Sequence, residues 1–414
     1  MTHIAIWIIS FLAIAGVIIR PFKIPEAIWA VSGAALLILC RLILPSDGLT
    51  GVAKGTDVYL FLTGMMLLAE TAREEKLFDW LAAHATKMAK GSPEKLFLLI
   101  YIVGIAVTTF LSNDATAVVL TPAVAAAVKT AKVKNPLPYL FICAFIANAA
   151  SFVLPISNPA NLVIYDSHMP PLLHWLHLYL VPSVFSIVIT FFMLRFTQRH
   201  SLKDKIEADI SIPALSQGGK TAILGIIITV VVLLVCSAFD VALGLPTAIT
   251  GLLTSVIVII RAKINPLTIV KGISWSVIPL VAGLFVIVEA INKTGLIQIL
   301  STTLNEYSAH SVTAAAWGSG FIIAIASNLA NNLPVGLIAG NVVQAGHVPD
   351  MVKSAMLIGV DLGPNLSITG SLATILWLVA LRREGLHVTA GAFLKLGALV
   401  MTTALIFAIA SLWI

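Results

Sequence analysis

Charge is what this 414-residue chain has least of. Asp, Glu, Lys and Arg together make up 11% of it and hydrophobic residues 59%, whereas about a quarter of a soluble domain is charged. Most of the chain therefore cannot face water, and the expected class is a polytopic membrane protein. Cysteine is scarce too. Cys40, Cys143 and Cys236 sit in separate apolar segments without a CxxC spacing, which argues against a disulfide framework or a zinc site. Neither HExxH, GxSxG nor a Walker A sequence is present, so no hydrolase or in-chain ATPase chemistry is expected, and no cofactor or metal. The net charge of +6 is spread over short loops, so no nucleic-acid partner is expected either. His174 and His177 share a helical face and read as an interfacial pair. The first apolar run, Ile4 to Ile19, is followed rather than preceded by basic charge, at Arg20. That order is the reverse of a secretory leader, and cleavage is not expected.

Long apolar runs are what the chain has in abundance. Spans of about 20 residues fall at 3–20, 26–45 and 56–73, and an amphipathic segment over 74–92 reads as a helix at the membrane surface. The run from Leu96 to Val128 is then interrupted by Leu111-Ser112-Asn113-Asp114-Ala115-Thr116. Only fourteen residues separate Asp114 from Lys129, too few to span, so the spacing predicts a re-entrant hairpin with its tip at 111–116. Such a tip is tolerated only where it lines a protein or water cavity. The next run, 137–165, contains Asn148, Ser151, Pro155, Ser157, Asn158, Pro159 and Asn161. Its prolines remove backbone donors and predict a helix broken in mid-membrane. A span at 172–197 follows.

The same order returns after a polar linker, 198–219. Spans are expected at 220–239, 246–262 and 275–293, a second hairpin with its tip at about 328–334, a second broken helix at 353–380 and a last span at 388–413. Matched features keep a nearly constant offset. Glu70 and Glu289 are 219 apart, and Asn113-Asp114 and Asn331-Asn332 are 218 apart. The fold expected is all-α, with two inverted-topology repeats at 1–197 and 220–414, each of five transmembrane helices, one re-entrant hairpin and one discontinuous helix.

An odd number of spans inverts the second copy, and the loop charges agree. Assigning loops alternately gathers 20 of the 25 Lys and Arg residues on one side, including Arg20, Arg73, Lys129, Lys132, Arg199, Lys271 and Arg382. By the positive-inside rule this side is the cytoplasm. The linker is then cytoplasmic and both termini are expected outside, in the cytoplasmic (inner) membrane.

An intramembrane acid marks an ion or proton pathway by default, and two acids lie at the centre of this pattern, Asp114 and Asp361. Both are expected to couple protons. Around them, Asn113, Asp114, Thr116, Ser151, Ser157, Asn158, Asn331, Asn332, Asn365, Ser367, Thr369 and Ser371 supply donors and acceptors for a substrate. No Arg is near, so the site suits a neutral polyhydroxylated solute or a cation. Ser and Thr in membrane helices also act as interhelical glue, and Ser157 or Thr121 fits either role. Glu70 and Glu289 lie nearer span ends, where pairing or snorkelling fits as well as function. Lys395 reads either as a counter-ion or as a headgroup contact.

Ser112-Asn113-Asp114, Asn331-Asn332-Leu333-Pro334, Asp361-Leu362-Gly363-Pro364 and the run Gly370 to Leu378 resemble the ArsB-type arsenite/antimonite efflux permeases of the ion transporter superfamily. The resemblance covers essentially the whole chain. It implies export of arsenite or antimonite as neutral hydroxides, driven by proton antiport with alternating access or, in some operons, assisted by a cytoplasmic ATPase subunit. The partners it implies are arsenite or antimonite, protons and membrane lipid. Related branches export silicic acid or couple to Na⁺, as symporters or Na⁺/H⁺ antiporters. The chain departs from some members of the family in carrying Asn148 in place of Asp, and Asn365 in place of Lys.

Overall fold

The computed structural model describes residues 2–165, 169–208, 210–346 and 348–414, whose regular structure is all helical, without a strand. The first half comprises α1 (Thr2–Ile19), α2 (Glu26–Leu39), α3 (Pro45–Lys54), α4 (Thr56–Glu74), α5 (Leu77–Met88) and α6 (Pro93–Phe110). After a two-residue break one arm is built from α7 (Asn113–Ala115), a π-helical turn (Thr116–Leu120) and α8 (Thr121–Thr130). It continues with α9 (Leu137–Ala149), α10 (Pro159–Tyr165) and α11 (Leu172–Gln198). The second half comprises α12 (Gln217–Ala238), α13 (Gly244–Ala262), α14 (Pro266–Gly272), α15 (Val277–Asn292) and α16 (Leu296–His310). It ends with α17 (Val312–Ala330), α18 (Asn332–Ala345), α19 (Asp350–Leu362), α20 (Leu372–Arg383) and α21 (Ala390–Ala410). Seven helical stretches among the described residues are long and apolar enough to cross a membrane, and α3 with α4, bent by 46°, makes an eighth.

Two expectations shift. The span read as 26–45 stops at Leu39, because Arg41 takes a left-handed φ of 55°. The Arg41 and Leu42 amides then donate back to the Ile38 and Leu37 carbonyls, at 2.9 and 3.0 Å. This pattern ends a helix even without glycine, and Pro45 starts α3. The second shift is α16, which the sequence reading did not anticipate. It begins after Gly295 (φ 80°) and buries only Ile297, Ser301 and Ser308.

The two halves pack reciprocally. α4 lies along α13 while α2 lies along α15, so the third span of each half meets the second of the other. At both crossings a glycine removes the side chain that would hold the backbones apart. A Cβ on Gly64 would collide with the Thr247 carbonyl, and one on Gly283 with the backbone of Ala30. Small residues at such crossings let membrane helices pack by close van der Waals contact. The pairs are 219 (64 to 283) and 217 (30 to 247) residues apart.

The interrupted helices of the two halves also meet. α10 packs on α18, and α20 packs on the arm of α7, the π turn and α8. α11 lies against α21. The Trp377 indole, fully buried with Phe145 and Phe393, donates to the Leu140 carbonyl at 2.8 Å and fixes α20 against α9.

Candidate functional site

Four helices start at four breaks in the chain. Ser112 Oγ accepts from the Ala115 amide at 3.1 Å at the start of α7, and Asn158 Oδ1 from the Ala160 amide at 3.0 Å at the start of α10. Asn331 Oδ1 accepts from the Leu333 amide at 3.3 Å, and Ser371 Oγ from the Thr374 amide at 3.1 Å, at α18 and α20. Ser, Asn and Asp favour these cap positions because their side chains satisfy amides that have no carbonyl within the helix. The cap residues therefore sit at helix ends that carry partial positive charge. Asn331 itself adopts φ 68°, a region few residues other than Gly and Asn enter.

The four starts converge. One cavity of about 30 Å³ is lined by Asn113, Asp114, Asn158, Pro159, Asn332, Ser371 and Leu372, together with Leu62, Val277, Val281, Leu333 and Ala373. It brings both chain halves to one place. A second cavity, of about 70 Å³, shares Leu62, Asp114, Pro159 and Val277 with it and extends past Ser112, Met65 and Met66 to Glu70, Gly272 and Ser274. Neither cavity is lined by Lys or Arg.

Of the residues expected at the site, Asn113, Asp114, Asn158, Asn332 and Ser371 line the smaller cavity. The Asp114 carboxylate makes no hydrogen bond or ion pair with the described residues, and only its backbone amide is engaged, by Asn113 Oδ1 at 2.9 Å. Asp361 is fully buried beyond Asn158 and accepts from its amide at 2.7 Å, with Ser151 also beside the carboxylate, while Oδ2 has no hydrogen-bond partner among the described residues.

The remaining residues expected to bind substrate line neither cavity, and their polar groups bond backbone carbonyls or other side chains around the breaks. Thr116 Oγ1 pairs with Thr108 Oγ1 at 2.8 Å, Ser151 Oγ donates to the Asn148 carbonyl at 2.7 Å, and Ser157 Oγ to the Thr109 carbonyl at 3.0 Å. Asn365 donates to the Phe145 carbonyl at 2.9 Å and accepts from Asn148 at 3.0 Å. Ser367 Oγ donates to Asn328 Oδ1 at 2.7 Å, Thr369 Oγ1 to the Asn328 carbonyl at 3.1 Å, and Asn331 Nδ2 to the Thr369 carbonyl at 3.4 Å. Backbone polar groups freed inside a membrane must be satisfied internally, and this is how the breaks meet that demand.

Some participants had no clear signal in the sequence. Asn328 binds the break before α20 at four points: its side chain meets Gly363 O, the Ser367 amide and the Ser367 hydroxyl, and its carbonyl accepts from Thr369. Leu62, Met65 and Met66 of α4 wall the cavities but carry no polar mark. Glu70 reaches the far end of the larger cavity and is bound by Arg73, whereas Glu289 is bound by Lys54 at 2.8 Å and lines neither cavity. Lys395 is exposed and has no acid partner among the described residues.

A model of the CitMHS citrate transporter family matches residues 11–363. The arsenical pump membrane protein of Escherichia coli strain K12 is 29% identical over 402 residues, covering 91% of this chain and 90% of its own length. That of Yersinia enterocolitica is 29% identical over 346 residues, covering 81% and 80%. An uncharacterized transporter of Mycobacterium tuberculosis is 24% identical over 421 residues, covering 98% and 97%. Among solved structures, the YdaH transporter of Alcanivorax borkumensis superposes with a TM-score of 0.55 over 93% of this chain and 95% of its own, at 12% identity. That last likeness is one of fold.

Proposed function

The chain belongs to the citrate transporter family and is a multi-pass membrane transporter, and from its site we propose that it exports trivalent arsenic and antimony as neutral hydroxides in exchange for protons. The observation that carries this reading is the unpaired Asp114 carboxylate, facing a cavity ringed by Asn113, Asn158, Asn332 and Ser371 with no basic residue in its wall. Citrate would bring several negative charges to that carboxylate, and anion sites of this kind use cationic groups to offset them. A small neutral trihydroxide needs only donors and acceptors, which the amides and hydroxyl provide. Relatives named arsenical pump membrane proteins support the same choice.

In this reading the halves are inverted repeats, 1–197 and 220–414, joined by a cytoplasmic linker at 198–219. The reciprocal crossings at Gly64 and Gly283 support that arrangement. The larger cavity leads from Asp114 toward Glu70 and Gly272, next to Arg73 and Lys271 on the basic side of the chain. It is the cytoplasmic entrance, and the conformation faces inward. Asp114, with Asp361 behind Asn158, carries the proton that the substrate displaces. Substrate and proton compete for the same oxygens, which makes their exchange obligatory. The membrane is the cytoplasmic one, and any use of ATP would come from a separate subunit. Accumulation of radiolabelled arsenite by inside-out vesicles under an imposed pH gradient tests the proposal; absence of arsenite and antimonite accumulation in vesicles containing the protein would refute it.

A further inference from the structure

The larger cavity carries two sulfur-bearing side chains in its wall, Met65 and Met66, between Glu70 at one end and Asp114 at the other. Met65 is buried at 4% exposure and Met66 is half-buried. None of the three cysteines lines either cavity; Cys143 is buried on α9, Cys40 is exposed and Cys236 is half-buried on α12. The fold does not itself ask for sulfur at this turn of α4. The matching positions of α15, immediately after Gly283 as Met65 and Met66 follow Gly64, are Leu284 and Phe285.

Trivalent arsenic and antimony are soft centres, and soft sulfur ligands recognise them. A thiolate would hold them too long for turnover. A thioether is a neutral, weaker, polarizable donor without a proton to lose, so it can recognise the element and still let it pass. A hard neutral hydroxide of similar size, such as silicic acid, gains little from such a contact.

We propose that Met65 and Met66 form a thioether subsite on the approach to Asp114 that favours hydroxides of soft trivalent elements over hard ones. The proposal rests on the export reading above and adds the source of its selectivity. The full chain with Cys40, Cys143 and Cys236 replaced by Ala is the parent for the test, and Met65→Leu/Met66→Leu is made in it, a swap that keeps volume nearly constant. In inside-out vesicles the double variant is expected to raise the apparent KM for antimonite, the softer element, several-fold and for arsenite less, with the maximal rate retained. X-ray absorption at the arsenic and antimony edges should find a sulfur neighbour in the parent and none in the double variant. Parent protein labelled with selenomethionine should show selenium there instead.

Equal KM values in parent and double variant, or a spectrum of oxygen neighbours alone in the parent, would overturn the subsite while leaving export intact. A parent that moves neither oxyanion precursor, although the unreplaced chain does, would assign the sulfur chemistry to cysteine and overturn it as well. If the unreplaced chain also moves neither, the export reading fails first.

Discussion

Asn158 donates from Nδ2 to Oδ1 of Asp361 at 2.7 Å, a hydrogen bond that spans 203 residues of sequence and ties the break before α10 to the end of α19. Asn158 also lines the cavity that holds Asp114. It therefore stands between the two acids. Asn158→Ala removes the hydrogen bond that Asp361 Oδ1 accepts, and a buried group that loses its partner costs about 1–3 kcal/mol. The expected result is a lower melting temperature in detergent and loss of proton-driven export. Unchanged values of both would remove Asn158 from the account.

A second side-chain hydrogen bond crosses the halves. Asn148 Nδ2 donates to Asn365 Oδ1 at 3.0 Å, both residues being fully buried and neither lining a cavity. Asn148→Ala should destabilise the protein by about 1–3 kcal/mol, the range for a buried polar group losing its partner, without changing the apparent KM for arsenite in the molecules that remain folded. A raised KM at unchanged stability would place Asn148 in the site after all.

The side of the membrane follows from the loop charges and the cavity. Thiol labelling of single cysteines introduced into a cysteine-free chain should find residues in 199–208 and 210–216 accessible from the cytoplasm and both termini accessible from outside. Labelling of the linker from outside would reverse the repeat inversion and the direction assigned to the larger cavity.

Replacing Cys40, Cys143 and Cys236 together by Ala is expected to leave arsenite export within about twofold of the parent, because none of the three reaches a cavity and core-compatible swaps of this size are tolerated. Complete loss of export at normal protein levels would restore thiolate coordination.

The breaks were legible because polar residues stand out in apolar runs. Asn113-Asp114, Asn158, Asn332 and Ser371 stand out that way, and the family resemblance carried by the same motifs agrees with the arsenical pump relatives. Which polar residue faces the cavity was not legible. Ser151, Ser157, Ser367 and Thr369 have the same composition signal as Ser371, but a broken helix uses hydroxyls to satisfy its own carbonyls and amides, and only the fold distinguishes the two uses. The α4 wall was invisible for the opposite reason, since Met65 facing a cavity reads like any apolar residue facing lipid. The end of α2 at Leu39 escaped because Arg41, not Gly, takes the left-handed turn.

The most direct test of the central claim is uptake of radiolabelled arsenite by inside-out vesicles, with the vesicle interior acid, in the parent and in Asp114→Asn and Asp361→Asn. Uphill accumulation by the parent that collapses with the pH gradient is expected. Each Asn variant should lose that accumulation, which is how a proton pathway through intramembrane acids behaves. Accumulation at the parent's rate by both variants would show that neither acid carries the proton and would contradict the account.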